Sequence, residues 1–127
     1  MILDTNAISD LFREPPPAML IQILSEAEEH HLPVVVLGEF RYGARFSKGR
    51  TLLESKLDRL IETNMVLQID EITSRAYADI RTKLRHQGTP IPENDIWIAA
   101  LALQHKLKLI TRDRHFDFID GLIKKEW

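Results

Sequence analysis

Leu32-Pro33-Val34-Val35-Val36-Leu37 is an apolar run, β-branched at its centre, with no charge and no alternation of polar residues. It is too short for an ordinary helix and too continuous for a strand with one face in water, so it reads as a strand buried on both faces. Working outward, Met1 to Leu3, Met65 to Ile69 and Leu107 to Thr111 are further short apolar segments of the same kind, and a last short strand follows Gly121, over Leu122 to Trp127. Between them lie stretches of helical period. Pro16 to His30 places Met19, Leu20, Ile23, Leu24 and Ala27 on one face, and Thr51 to Thr63 does the same with Leu53, Leu57, Leu60 and Ile61. Ile72 to Gln87 continues the pattern and is closed by Gly88, a C-terminal stop. Asn94 to Lys106 differs, because Ile96 to Leu103 is apolar all round, as in a buried helix. Continuous strands alternating with helices predict an α/β fold with a mainly parallel sheet covered on both faces.

The 127 residues, 44% hydrophobic and 28% charged, suit one compact domain over 1–127. The absence of cysteine excludes disulfides, thiolate nucleophiles, cysteine zinc sites and iron–sulfur clusters. No basic segment precedes an apolar one at the start, and the longest apolar run is far short of the ~20 residues of a membrane span, so a soluble cytoplasmic protein with no membrane partner is expected. A net charge of −2 argues against a uniformly basic surface but leaves room for local basic patches.

In open α/β sheets ligands bind beyond the carboxyl ends of the strands. Asp4 follows the first apolar segment directly, Glu39 comes two residues after Leu37, and Asp113 two after Thr111. Asp95 stands in the first turn of the buried helix, whereas Asp70 and Glu71 read as helix-starting residues. Singly, each of the four acids could cap a helix, complement its dipole or sit in a turn. Jointly they make a stronger case, because converging carboxylates repel unless a cation is present, and oxygen clusters select hard ions such as Mg²⁺ or Mn²⁺. Such an ion suits phosphate ester chemistry. Asn6, Asn94 and Thr111 are close enough in sequence to orient the ligands by hydrogen bonds. The five histidines show no metal-type spacing with a nearby carboxylate, and His30-His31 read as partners of a helix's terminal carbonyls. Neither a nucleophile elbow nor a glycine-rich phosphate or dinucleotide loop is present.

The segment from Arg41 to Arg59 carries a net +4, leaving −6 for the rest of the chain. Arg41, Arg45, Arg112 and Arg114 adjoin proposed ligands and are the expected contacts to a nucleic-acid phosphate backbone, although a solvated helix face is the alternative. Tyr42 and Phe46 could stack on bases or belong to the core or an interface.

Four fragments now stand in order: Leu3-Asp4-Thr5-Asn6-Ala7-Ile8-Ser9, Leu37-Gly38-Glu39-Phe40-Arg41-Tyr42-Gly43, Asn94-Asp95-Ile96-Trp97-Ile98-Ala99-Ala100, and Leu109-Ile110-Thr111-Arg112-Asp113-Arg114-His115-Phe116. Over essentially the whole chain they resemble the PIN-domain ribonucleases, most closely the VapC-type toxins of type II toxin–antitoxin systems. The resemblance implies a three-layer α/β/α sandwich and an endoribonuclease in which Asp4, Glu39, Asp95 and Asp113 are the catalytic acids and hold one or two Mg²⁺ or Mn²⁺ ions. It also implies cleavage to a 5′-phosphate and a 3′-hydroxyl, an RNA substrate such as tRNA or rRNA, a homodimer, and a cognate antitoxin whose tail occupies the active-site groove. Relatives commonly have a further acid two residues after the last Asp; here that residue is His115, with Asp117 two beyond it, and Gly38 stands where many have Ala. Two other classes remain open. A phosphohydrolase with a nucleophilic Asp4 normally needs a second Asp where Asn6 stands, and a non-catalytic module would bind RNA or antitoxin without cutting.

Overall fold

The computed structural model describes residues 1–127. Five short strands form one sheet: β1 (Ile2–Leu3), β2 (His31–Pro33), β3 (Met65–Leu67), β4 (Leu109–Ile110) and β5 (Lys124–Lys125). Six α-helices flank it: α1 (Thr5–Leu11), α2 (Ala18–Leu24), α3 (Val34–Ala44), α4 (Arg50–Glu62), α5 (Glu71–Gln87) and α6 (Glu93–His105), with a 3₁₀ turn over Arg114–Phe118. The strand order is β3-β2-β1-β4-β5 and every pairing is parallel, with Ile2 against His31 on one side and Leu109 on the other. The expected three-layer α/β/α arrangement around a parallel sheet is the one observed. Because the chain winds from β1 to β3 in one direction and returns to β4 on the opposite side, the topological switch lies between β1 and β4.

The run Leu32 to Leu37 is only in part a strand, contrary to its apolar pattern. β2 ends at Pro33, which caps the next element, and Val34 already begins α3. Proline has no N–H with which to extend the ladder, and its fixed φ suits a helix start. Val34 to Val36 are poor helix formers, but Val36, Leu37 and Phe40 are buried in the core, and that packing overrides the local preference. Glu39 therefore lies in the second turn of α3 rather than just beyond a strand. α2 is shorter than the period suggested, Ala18–Leu24 in place of Pro16 to His30, and it is preceded by α1 over Thr5–Leu11, which the sequence pattern did not predict. Leu122 to Trp127 contracts to a two-residue strand against β4.

Other expectations agree with the structure. α6 is buried through Asp95, Ile96 and Ile98 to Ala102, and Gly88 ends α5 with φ 70°, a left-handed conformation that glycine adopts at no steric cost. His30 Nε2 lies 2.9 Å from the Leu24 carbonyl at the end of α2, whereas His31 is a buried residue of β2. No helix is long and apolar enough to cross a membrane.

Asp70 is the N-cap of α5. Its carboxylate accepts the Thr73 N–H at 2.8 Å, while the Thr73 hydroxyl accepts the Asp70 N–H at 3.1 Å. Asp70→Ala is expected to destabilise the fold through the lost cap, read as a lower denaturation midpoint with an unchanged slope.

Candidate active site

Asp4 is reached directly from β1, and its backbone N–H still belongs to the sheet, donating to the Ile110 carbonyl at 3.2 Å. It is also the N-cap of α1. One carboxylate oxygen accepts the Thr5 N–H at 2.7 Å; the other accepts Asn6 Nδ2 at 2.8 Å and the Thr111 hydroxyl at 2.6 Å. Thr111, fully buried just past β4, ties three groups together, since its oxygen also accepts Asn6 Nδ2 at 3.1 Å and the Asp113 N–H at 3.0 Å. The hydrogen-bonding roles expected of Asn6 and Thr111 thus have a direct geometric basis.

Glu39 is fixed from two helices. Its carboxylate accepts the Thr5 hydroxyl at 2.6 Å and Asn94 Nδ2 at 2.9 Å. Thr5 is a site residue that no sequence motif marks, although its place in the first turn beside Asp4 is a usable signal. Asp95 opens α6, and Asp113 caps the 3₁₀ turn, accepting the His115 N–H at 2.9 Å.

These elements bring Asp4, Glu39, Asp95 and Asp113 to one groove of about 370 Å³ at the topological switch, lined by no hydrophobic side chain. The electrostatics record their proximity. Burial raises the Asp4 carboxyl above the ordinary aspartate range; the hydrogen bonds from Thr111 and Thr5 oppose this, and the charges of Glu39 and Asp113 add to it. Asp95 is pushed up to about 6, first by burial, then by the charges of Asp113 and Asp4, with His115 opposing. A divalent cation would relieve the repulsion, and a donor set dominated by carboxylate oxygens fits one.

The burial and repulsion acting on Asp95 have a measurable consequence in ion-free protein. Folded Asp95 keeps its proton up to about pH 6, whereas the unfolded chain loses it near 3.8, so the folded state binds more protons between these values. The contribution of this group to stability therefore falls as pH rises through that window. Asp95→Asn is expected to melt above the wild type at about pH 7, with the gap narrowing towards about pH 5. Thermal melts in chelator check this, and a gap that widens on acidification would contradict it.

His115 is a correction to the sequence reading. Its Nδ1 lies 3.0 Å from an Asp95 oxygen and 3.1 Å from an Asp113 oxygen, so the three side chains form a cluster able to hold an ion. Spacing along the chain hid this, because Asp95 arrives from a different helix. Asp117 is no substitute for the acid absent at 115, since its carboxylate is ion-paired with Lys124.

The basic residues divide. The Arg41 guanidinium reaches Glu54 and Asp58, both at 2.8 Å, and ties α3 to α4. Arg50 and Lys56 are also paired, with Glu54 and Glu14. Arg45 and Arg114 make no ion pair and are exposed. Arg112 lines the groove but is held by Asp10. Tyr42 and Phe46 stay exposed and pack edge to face, with ring centroids 5.1 Å apart.

Residues 1–122 match the PIN domain family. Among individual proteins, the chain is 33% identical to the VapC ribonuclease Y4jK of Sinorhizobium fredii, over 89% of this chain and 86% of that protein. It is 31% identical to the toxin FitB of Neisseria gonorrhoeae, over 89% and 87%. Among solved structures, VapBC2 from Rickettsia felis bound to a DNA fragment from their promoter superposes with a TM-score of 0.87 at 26% identity, covering 99% of this chain and 97% of that one. FitAcB from Neisseria gonorrhoeae gives 0.85 at 29% identity, covering 98% and 96%.

Proposed function

This chain belongs to the PIN domain family, and on that premise we propose that it is a metal-dependent endoribonuclease, the toxin of a toxin–antitoxin pair. The observation that carries the reading is the convergence of Asp4, Glu39, Asp95 and Asp113 in one groove free of hydrophobic side chains at the switch between β1 and β4. These four carboxylates would hold one or two divalent ions, Mg²⁺ or Mn²⁺. The imidazole of His115 beside two of them favours Mn²⁺, since nitrogen donors raise affinity for transition ions over Mg²⁺. When bound, such an ion supplies Lewis-acid charge at phosphate oxygens and lowers the pKa of water.

The remaining work falls to the protein. Asn6 and Thr111 hold Asp4 in one orientation, and Thr5 and Asn94 do the same for Glu39. Arg112, Arg114 and Arg45 supply positive charge for the RNA backbone. The products would be a 5′-phosphate and a 3′-hydroxyl, and structured RNAs such as tRNA or rRNA are the candidate substrates. A nucleophilic role for Asp4 is disfavoured, because Asn6 stands where that chemistry normally needs a second Asp. We also place the protein in the cytoplasm as a homodimer of one-domain chains. A cognate antitoxin would restrain it, and the exposed Tyr42 and Phe46 offer apolar surface for that partner.

The test is incubation of the purified chain with total cellular RNA. Cleavage is expected with Mn²⁺ or Mg²⁺ and should be abolished by a chelator, with 5′-phosphate ends recovered on mapping. Cleavage that survives chelation, or no cleavage with either ion, would overturn the proposal.

A further inference from the structure

Asp10 is a buried carboxylate, 4% exposed, that the proposed chemistry does not use. Three donors converge on it. Arg13 Nε lies 3.1 Å from one oxygen, while the other receives the Arg112 guanidinium and Trp127 Nε1, the latter at 3.0 Å. The Arg112 guanidinium in turn lies over the Trp127 ring, 4.5 Å from its centroid. Its main chain is fixed as well, with the N–H donating to Asn6 Oδ1 at 3.3 Å. Arg112 is thus held at its backbone, at its guanidinium edge and across one guanidinium face. Its side chain nonetheless remains 45% exposed and lines the groove that contains the four acids.

A buried carboxylate needs compensation, but Arg13 and the indole N–H would already supply a cation and a hydrogen bond. The addition of Arg112 leaves one positive charge in excess at the edge of an otherwise acidic groove. A guanidinium has five N–H donors, so engagement by Asp10 leaves others free. An unrestrained arginine loses much side-chain freedom when it grips a ligand, whereas one already stacked and paired loses less.

We propose that Asp10 and Trp127 are positioning residues that lock Arg112 as a preformed clamp for a backbone phosphate of the RNA. The proposal rests on the ribonuclease reading and assigns Trp127 an effect on RNA that runs entirely through Arg112. The experiment is a double-mutant cycle in full-length protein carrying Asp95→Asn to prevent cutting. Binding of a short fluorescein-labelled RNA of mixed sequence is followed by anisotropy across a salt series, and thermal melts are recorded in parallel.

Arg112→Ala is expected to weaken binding about tenfold and to lower the slope of log Kd against log salt by about one. Trp127→Ala should weaken binding about threefold to tenfold when Arg112 is present and have no further effect once Arg112 is alanine. Trp127→Phe, which keeps an aromatic face, should recover part of the loss. A purely structural Trp127 would give the same loss in both backgrounds, and that additivity overturns the clamp. An unchanged affinity in Trp127→Ala overturns it too. If the parent protein shows no salt-dependent RNA binding at all, the ribonuclease reading falls together with the clamp.

Discussion

Asp4→Asn is expected to lower ion-dependent RNA cleavage by about a thousandfold with the fold intact. Transition-state stabilisation by a bound ion is worth several kcal/mol, and each 1.36 kcal/mol is about tenfold in rate. Loss of one full negative charge from the groove weakens the hold on that ion, and Asp4 is the most thoroughly oriented of the four acids, with three donors on its carboxylate. Asparagine caps a helix about as well as aspartate, so α1 should persist. Cleavage assays with Mn²⁺, paired with thermal melts, separate lost chemistry from lost structure. Activity within tenfold of the wild type would remove Asp4 from the active site.

The second large effect concerns stability. Ile98 is fully buried in α6, a helix whose buried residues extend from Asp95 to Ala102 on more than one face. Ile98→Ala should cost about 2–5 kcal/mol, because a fully buried site loses both the transfer energy of the deleted carbons and the contacts around the cavity they leave. Against a typical domain stability of about 5–15 kcal/mol, that lowers the melting temperature by roughly 10 °C. Denaturant titration gives the value directly, and a loss under about 1 kcal/mol would mean that α6 is less tightly packed than described.

Much of this architecture was legible in the residues. α6 declared itself because no polar face interrupts Ile96 to Leu103, and α5 because Gly88 closes an amphipathic period. Leu32 to Leu37 misled, because a strand ending and a helix starting on one proline leave the apolar run unbroken, and only burial of Val36 and Leu37 decides which state wins. The four acids were found from their places near strand ends and a helix start, where the winding of the sheet brings them together. His115, Asp10 and Trp127 were not found. Their partners come from distant segments, as with Asp10 and Trp127, 117 positions apart, and no local pattern encodes such a meeting. The pairing of Arg41 was hidden in the same way, since Glu54 and Asp58 reach it from the next helix.

The two joints where the chain passes from strand to helix without a loop, at Asp4 and at Pro33, bear on turnover. Each acid sits within two turns of a helix start or on a short 3₁₀ cap, and neither joint leaves slack chain that could swing over the groove. An enzyme with a lid reacts in a dry, closed chamber and then waits for it to open. Here the reaction would proceed in an open trench that water enters freely, as suits a hydrolase whose co-substrate is water. Since neither joint can swing to close this trench, control from outside would act by plugging it.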